Sequence, residues 1–459
     1  MALASRFSPF IMISFFIAVF GCSPKTAVLL NLTTSPTINT PLRPALLANG
    51  FYHSCVLFNN GSLKCFGYNT SGVLGQGDDV SRGDDPGEMG SFLPTINLGT
   101  GLQAVFISGG GDFNCAILSD SSTKCWGENW IGNLGYEDLD HRGDNPNEMG
   151  DALPAVNLGT GKTATFLTHG WYATCALLND STVKCWGRNS SGQLGIGSKT
   201  TIGDNPGEMG DALQTVNLGT GKTAKKIKSG GDHVCAILND DSVKCWGYNA
   251  SGQLGVGHKN DIGDQAGEMG DALVAVDLGT GKKAVELTAG REHTCALLND
   301  STVKCWGYNG NGHLGVGHTN YLGDDPGEMG DALPAIDFGT GRTAKKIVAG
   351  SEHTCAILDN DTVKCWGANF LGELGQGNTT SIGGLPGQMG DALPAVNLGT
   401  GRTALQLAAG DHHTCALLDN YDVKCWGYND DGEIGYGHMN YIGDGPGEMG
   451  DALPAVELL

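Results

Sequence analysis

Histidine, paired cysteines and tryptophan lie close together in the stretch Gly350-Ser-Glu-His-Thr-Cys-Ala-Ile-Leu-Asp-Asn-Asp-Thr-Val-Lys-Cys-Trp-Gly367. Those residue types could hold zinc, supply a catalytic base or form a disulfide. The stretch recurs seven times. Its first cysteine stands at Cys55, Cys115, Cys175, Cys235, Cys295, Cys355 and Cys415, and its second at Cys65, Cys125, Cys185, Cys245, Cys305, Cys365 and Cys425, each 60 residues after the last. The histidine recurs as His53, His233, His293 and His413, with Phe113 and Ala173 at the other two positions. A catalytic base would not be spread over five equivalent places, so a structural histidine bonded to backbone is expected. Zinc is a poor match to a nine-residue gap with no second cysteine pair nearby. Trp126, Trp186, Trp246, Trp306, Trp366 and Trp426, with Phe66 in the first copy, read as packing between repeats.

The elements that must position these residues are short strands. Each repeat starts with an apolar segment such as Ala335-Ile-Asp-Phe338, turns at Gly339-Thr-Gly-Arg342, and continues as Thr343–Ala349 and the hairpin Thr354–Trp366. Alternating apolar and polar residues between Gly, Asn and Asp predict antiparallel strands, four per repeat. Seven such repeats predict an all-β fold, a seven-bladed β-propeller of 60-residue repeats over residues 44–459. If Cys355 faces Cys365, then Ile357 faces Val363 and Leu358 faces Thr362, with Asp359-Asn-Asp361 as a three-residue loop. Facing positions lie within reach of a disulfide, so one bridge per blade is expected. Fourteen cysteines pair and Cys22 is left over. The chain begins its first repeat at the second strand and ends, at Ala455–Leu459, with the first. The C-terminal strand is therefore expected to close the ring by pairing with the first blade.

Gly-x-x-His-Thr-Cys-Ala-Leu, then Val-Lys-Cys-Trp-Gly-Tyr-Asn, then Gly252-Gln-Leu-Gly-Val-Gly257 resembles the regulator of chromosome condensation repeat family, in all seven copies from about residue 46 to 459. The resemblance implies a seven-bladed propeller. Its eponym's activity, guanine-nucleotide exchange on a small GTPase, is one implied function, although the match is to scaffold motifs only. Blade two departs at Tyr136-Glu137, where the last glycine of the motif is lost.

The N-terminus speaks about compartment. Arg6, an apolar run Pro9–Phe20 and Gly21-Cys22 read as a signal peptide over residues 1–21. Gly21-Cys22 is similar to the lipobox of bacterial lipoproteins, with Phe20 where a small residue is usual. Lipidation of Cys22 is expected, with plain secretion as the alternative and the outer membrane as destination. Residues 22–43, rich in Thr, Pro and Asn, read as a lipid-anchored tether. Export agrees with a disulfide framework and opposes GTPase exchange, which is cytosolic. A net charge of −22, from 27 Lys+Arg against 49 Asp+Glu, argues against nucleic acid as a partner.

Loops such as Gly323–Pro334 offer Asp324, Glu328 and Asp331, which could bind calcium or could cap turns while Met329 packs inward. A calcium-binding surface protein is thus a further alternative, although no metal or cofactor is assigned. No Ser-His-Asp set, phosphate loop or unique carboxylate pair suggests an enzyme. A single site must break sevenfold sameness. The variable positions point to Phe51, Tyr52, Trp130, Trp171, Tyr172, Arg291 and Phe370 as binding residues. The expectation is an exported monomer serving as a protein-binding scaffold or inhibitor at the cell envelope, its partner unknown.

Overall fold

The computed structural model describes residues 41–459. The signal peptide, Cys22 and nearly all of the tether lie outside those residues. Seven three-stranded antiparallel sheets follow one another along the chain. Their inner, middle and outer strands are Pro44–Asn49, His53–Phe58 and Leu63–Gly67 in blade one, and Ala104–Gly109, Phe113–Leu118 and Thr123–Gly127 in blade two. Blade three has Ala164–His169, Ala173–Leu178 and Val183–Gly187; blade four has Ala224–Ser229, His233–Leu238 and Val243–Gly247. Blades five to seven have Ala284–Ala289, His293–Leu298 and Val303–Gly307; Ala344–Ala349, His353–Leu358 and Val363–Gly367; and Ala404–Ala409, His413–Leu418 and Val423–Gly427.

The hairpin register is the expected one. Cys355 faces Cys365 and Ile357 faces Val363, Leu358 N–H donates to Thr362 O at 2.9 Å, and Asp361 takes the left-handed position at φ 65°. The facing cysteines are 4.1 Å apart at Cα and are joined by a disulfide, as in the six other blades. That spacing belongs to the closer, non-hydrogen-bonded kind of antiparallel pair.

Each sheet has three strands where the sequence suggested four. The segment Ala335–Phe338 is extended and buries Ile336 and Phe338, but it is divided between two blades. Ile336 N–H donates to Val303 O of blade five at 2.8 Å, while Asp337 O accepts Gly390 N–H at 3.0 Å and Phe338 O accepts Lys364 Nζ at 2.9 Å in blade six. Pro334, just before it, has no N–H to extend a ladder.

The chain ends close the ring through this same arrangement. Val456 N–H donates to Val423 O of blade seven at 2.7 Å. On its other side Glu457 O accepts Gly90 N–H at 2.8 Å and Leu458 O accepts Lys64 Nζ at 2.8 Å, both from blade-one territory. The terminal strand takes its ladder bond from blade seven and meets blade one through its carbonyls. Leu47, Phe66 and Leu93 pack with Val423, Val456 and Leu458 in one core across the seam. The other cores also lie between neighbouring blades rather than within them.

The motif's histidine, threonine and tryptophan form a latch between blades. His353 Nε2 is 2.8 Å from Thr414 Oγ1 of the next blade. The Thr414 hydroxyl donates to Glu373 O at 3.1 Å, and Trp426 Nε1–H donates to the same carbonyl at 2.9 Å. Because the hydroxyl spends its proton on the carbonyl, the imidazole is the donor at Nε2. The partner is a side chain where the sequence suggested backbone. His233, His293 and His413 repeat the contact with Thr294, Thr354 and Ser54, and His53 makes it with Asn114. Gly350 is required beside it: a Cβ there would lie 2.3 Å from His353 Cε1 and 2.5 Å from Gly410 O. Blade two keeps its turn without glycine: Glu137 takes φ 63° and its carboxylate accepts Met209 N–H at 2.8 Å.

Candidate protein-binding face

All inner strands end at one face of the ring, and the loops that follow them converge on the axis. Main-chain bonds link neighbouring loops around most of the axis, among them Phe51 N–H to Gly111 O at 3.0 Å, Trp171 N–H to Gly231 O at 2.9 Å, Arg291 N–H to Ser351 O at 3.0 Å and Asp411 N–H to Phe51 O at 3.2 Å. The residue after the shared glycine is thereby fixed near the axis, and its side chain is free to differ from blade to blade.

Three of the sequence-predicted residues meet there although they come from blades one, three and five. Phe51 and Trp171 pack edge to face with ring centres 5.9 Å apart. Between them blade two contributes Gly111, whose missing side chain leaves the room. The Arg291 guanidinium carbon lies 4.6 Å from the centre of the Trp171 ring. Phe51 and Trp171 are half-buried and Arg291 is exposed.

Tyr52 extends the cluster outward. Its ring is 6.3 Å from Tyr68 and 5.8 Å from Tyr428, and its hydroxyl donates to Asp411 Oδ2 at 3.3 Å. Burial and the Asp411 charge push its pKa up to about 12. Tyr172, half-buried, stands beside Glu128 and Asp112, and burial first and these charges second raise its pKa. Trp130 and Phe370 follow outer strands of blades two and six, so they lie on this face at its rim. They are 63% and 54% exposed. Trp130 rests on His141, ring centres 4.5 Å apart. Five of the seven predicted residues thus belong to the axial cluster or its border, and two stand apart from it.

The sequence reading missed the acids of this face. Burial, and then the Asp411 charge, push Asp112 up to about 6. Burial, with Asp112 beside it, pushes Glu128 up to about 7. In blade seven burial, with Asp431 and Asp430 nearby, raises Glu433 to about 8. Blades seven and two, on either side of blade one, therefore form an acidic sector. Elsewhere on the face the acids have cations or donors: Arg188 lies 3.7 Å from Asp232, Gln193 donates to Asp232 at 2.8 Å, and His412 lies 3.2 Å from Glu373. A signal was present in the sequence. Glu433 stands where blades three and four have Gln193 and Gln253, and Glu128 where most blades have tyrosine or arginine.

Asp324, Glu328 and Asp331 do not converge on one point. Asp324 pairs with Lys259 at 2.9 Å, Glu328 accepts the N–H groups of Gly323 and Asp325 at 2.8 and 3.1 Å, and Asp331 accepts Thr280 N–H and Oγ1–H at 2.9 and 2.6 Å. Met329 packs toward the core of blades four and five. These carboxylates hold turns.

Comparison with known proteins agrees with the architecture. A profile of the RCC1-like domain matches residues 90–450, and one of the regulator of chromosome condensation (RCC1) repeat matches residues 47–73. The ultraviolet-B receptor UVR8 of Arabidopsis thaliana is 24% identical over 405 residues, covering 86% of this chain and 80% of its own. The probable E3 ubiquitin-protein ligase HERC6 of Homo sapiens is 28% identical over 263 residues, 57% of this chain, but these make up only 23% of its length. Among solved structures, Prp20p from Saccharomyces cerevisiae, whose structure was described with its binding to Gsp1p and histones, is 18% identical with a TM-score of 0.59, covering 79% of this chain and 80% of that one. A match spanning most of the repeats, on a ring of seven blades, places the chain in the RCC1-like domain family.

Proposed function

We propose that the protein is a non-catalytic binding propeller that captures a protein partner through the face bearing Phe51, Tyr52, Trp171, Tyr172 and Arg291. The observation that carries the reading is the convergence of Phe51, Trp171 and Arg291 from alternate blades at the axis, where the other loops supply glycine, serine and aspartate. Aromatic residues and arginine at the centre of a patch are the usual anchors of protein interfaces. The acidic sector beside them suits a partner that presents lysine or arginine. Prp20p, a relative in fold, binds histones and Gsp1p; a basic partner would be in keeping with the charge here.

The proposed setting is the cell envelope, with export directed by residues 1–21 and a lipid on Cys22. Seven hairpin disulfides favour an oxidising compartment. A pull-down from envelope extracts with wild type and a Trp171→Ala/Tyr172→Ala variant tests the face. Equal capture by both, or capture of nothing, would refute it. The mass of the mature chain tests the setting: loss of residues 1–21, a lipid-sized increment on Cys22 and the absence of two hydrogens per cysteine pair are expected. An intact N-terminus would refute export.

A further inference from the structure

Beneath Phe51 and Trp171 the axis holds a cavity of about 90 Å³, several times what one water needs. The residues that line it carry polar atoms with no hydrogen-bond partner among the described residues. Trp171 Nε1–H and the Ser229 hydroxyl are buried donors of this kind; Asn49 Oδ1 and His169 Nε2 are buried acceptors. Native proteins seldom leave such groups unpaired, and each costs about 1–3 kcal/mol when they do.

The state of His169 follows from its surroundings. Its Nδ1 lies 3.2 Å from Thr174 Oγ1, whose hydroxyl donates to Asn133 O at 2.9 Å. The imidazole must therefore donate at Nδ1, which leaves a lone pair at Nε2. Burial, aided by the Lys228 charge, pushes the His169 pKa down to about 3, so the ring is neutral.

Lys228 brings charge into the same cavity. It lines the wall and is in no ion pair among the described residues; the acid whose charge acts on it is Glu286. Glu286 also feels the charges of Lys226 and Lys346, whose ammonium groups donate to Val285 O and Leu405 O, each at 2.7 Å. Lys228 thus places a cation at the axis of a chain whose net charge is −22.

We propose that the axial cavity is a binding site for inorganic phosphate. Lys228 supplies the charge, Trp171 Nε1–H and Ser229 Oγ–H donate to phosphate oxygens, and Asn49 Oδ1 and His169 Nε2 accept its remaining proton or protons. The pairing of donors with acceptors sets the selectivity. Sulfate carries no proton at neutral pH and would leave both acceptors facing its oxygens, whereas hydrogen phosphate brings a proton for one of them and dihydrogen phosphate for both. This site does not depend on the protein partner proposed above and is open to test on the isolated chain.

Protein labelled with ¹⁵N at tryptophan reports Trp171 directly through its indole N–H, assigned by its loss in Trp171→Phe. Titration with sodium phosphate at constant ionic strength should shift that signal saturably, with sulfate weaker by at least about tenfold. Lys228→Met and Ser229→Ala should each weaken phosphate binding, the first by at least about tenfold. The indole signals of the six fully buried tryptophans show that each variant is folded. No saturable shift at millimolar phosphate, equal response to sulfate, or unchanged affinity in folded Lys228→Met would each overturn the assignment.

Discussion

Arg291 of blade five lies over the indole of Trp171 of blade three, its guanidinium carbon 4.6 Å from the ring centre. Blade four permits this by placing Gly231 between them, as Gly111 does between Phe51 and Trp171. Two glycines at the annulus therefore make one continuous surface from side chains of three separate repeats. Phe51→Ser and Trp171→Ala are expected to weaken partner binding by about 2 kcal/mol or more each, as central anchors do. Trp130→Ala at the rim should cost far less. Calorimetric titration of the captured partner against the three variants checks the ranking; an equal loss at Trp130 would move the binding centre outward.

Partner binding should also depend on pH. Glu128, held near 7, and Asp112, near 6, are the acids of the axial border. A cation placed on them favours their ionised forms, so affinity rises with pH from about 5 to 8 and proton release accompanies binding near neutrality. Glu128→Gln should flatten this dependence. A pH-independent affinity in the wild type would contradict the placement of a basic group here.

Stability should peak near pH 6–7. His53, His353, His233 and His413 are buried and held at about 4 to 3, against about 6.5 in an unfolded chain. Between these values only the unfolded chain takes up protons, so stability falls as pH drops below about 6.5. Asp112, Glu128 and Glu433 act in the opposite sense. Their folded pKa values are raised, so the folded state binds the extra protons and stability declines as pH climbs from about 4 towards 8. The histidines outnumber the acids, which sets the acid limb as the steeper one. Melting temperature across pH 4–9 measures both limbs.

The interblade latch has a testable order of costs. His353→Leu leaves the Thr414 oxygen without its donor and should destabilise by about 1–3 kcal/mol. Trp426→Phe removes a donor from Glu373 O, which keeps the Thr414 bond, and should cost closer to about 1 kcal/mol for that bond plus some lost packing. Blade one tolerates Phe66 at the equivalent place. Denaturant unfolding of the two single variants and the double variant would also show the coupling between them.

Removing residues 455–459 should open the ring. The deletion exposes Val423 O, Gly90 N and Lys64 Nζ and uncovers the core shared by Leu47, Phe66 and Val423. Loss of cooperative unfolding, or association through the opened seam, is expected by melting and size-exclusion measurements. An unchanged melting curve would mean that the inner-strand contacts hold the seam alone. Those contacts include the paired bonds between Gln406 and the Leu47 backbone, at 3.1 and 3.0 Å.

The architecture was legible because a 60-residue period repeats both the cysteine spacing and the turn residues, and each repeat reinforces the others. The hairpin around Asp359-Asn-Asp361 could be registered to the residue for that reason. The fourth strand was misjudged because alternation in Ala335–Phe338 reports which side chains are buried, and it says nothing of where the carbonyls go. They go to Lys364 and Gly390 in the next blade. The axial residues were legible as departures from the repeat, but their meeting was not. Only the ring geometry brings position 51 beside position 171. Glu128 and Glu433 were missed because single acids in an acidic chain attract no notice until burial raises their pKa values.

Every disulfide joins residues ten apart within a single hairpin. The correct partner of each thiol is therefore its nearest neighbour along the chain from the moment the hairpin turns. Fourteen thiols could in principle be joined in a very large number of ways, yet no long-range search is needed to find the native set. Each blade can be oxidised as it emerges, before its neighbours exist. Closure of the ring draws on other contacts, those of residues 455–459 with Val423, Gly90 and Lys64 and of Gln406 with Leu47, so the pairing of thiols and the closing of the ring do not depend on each other.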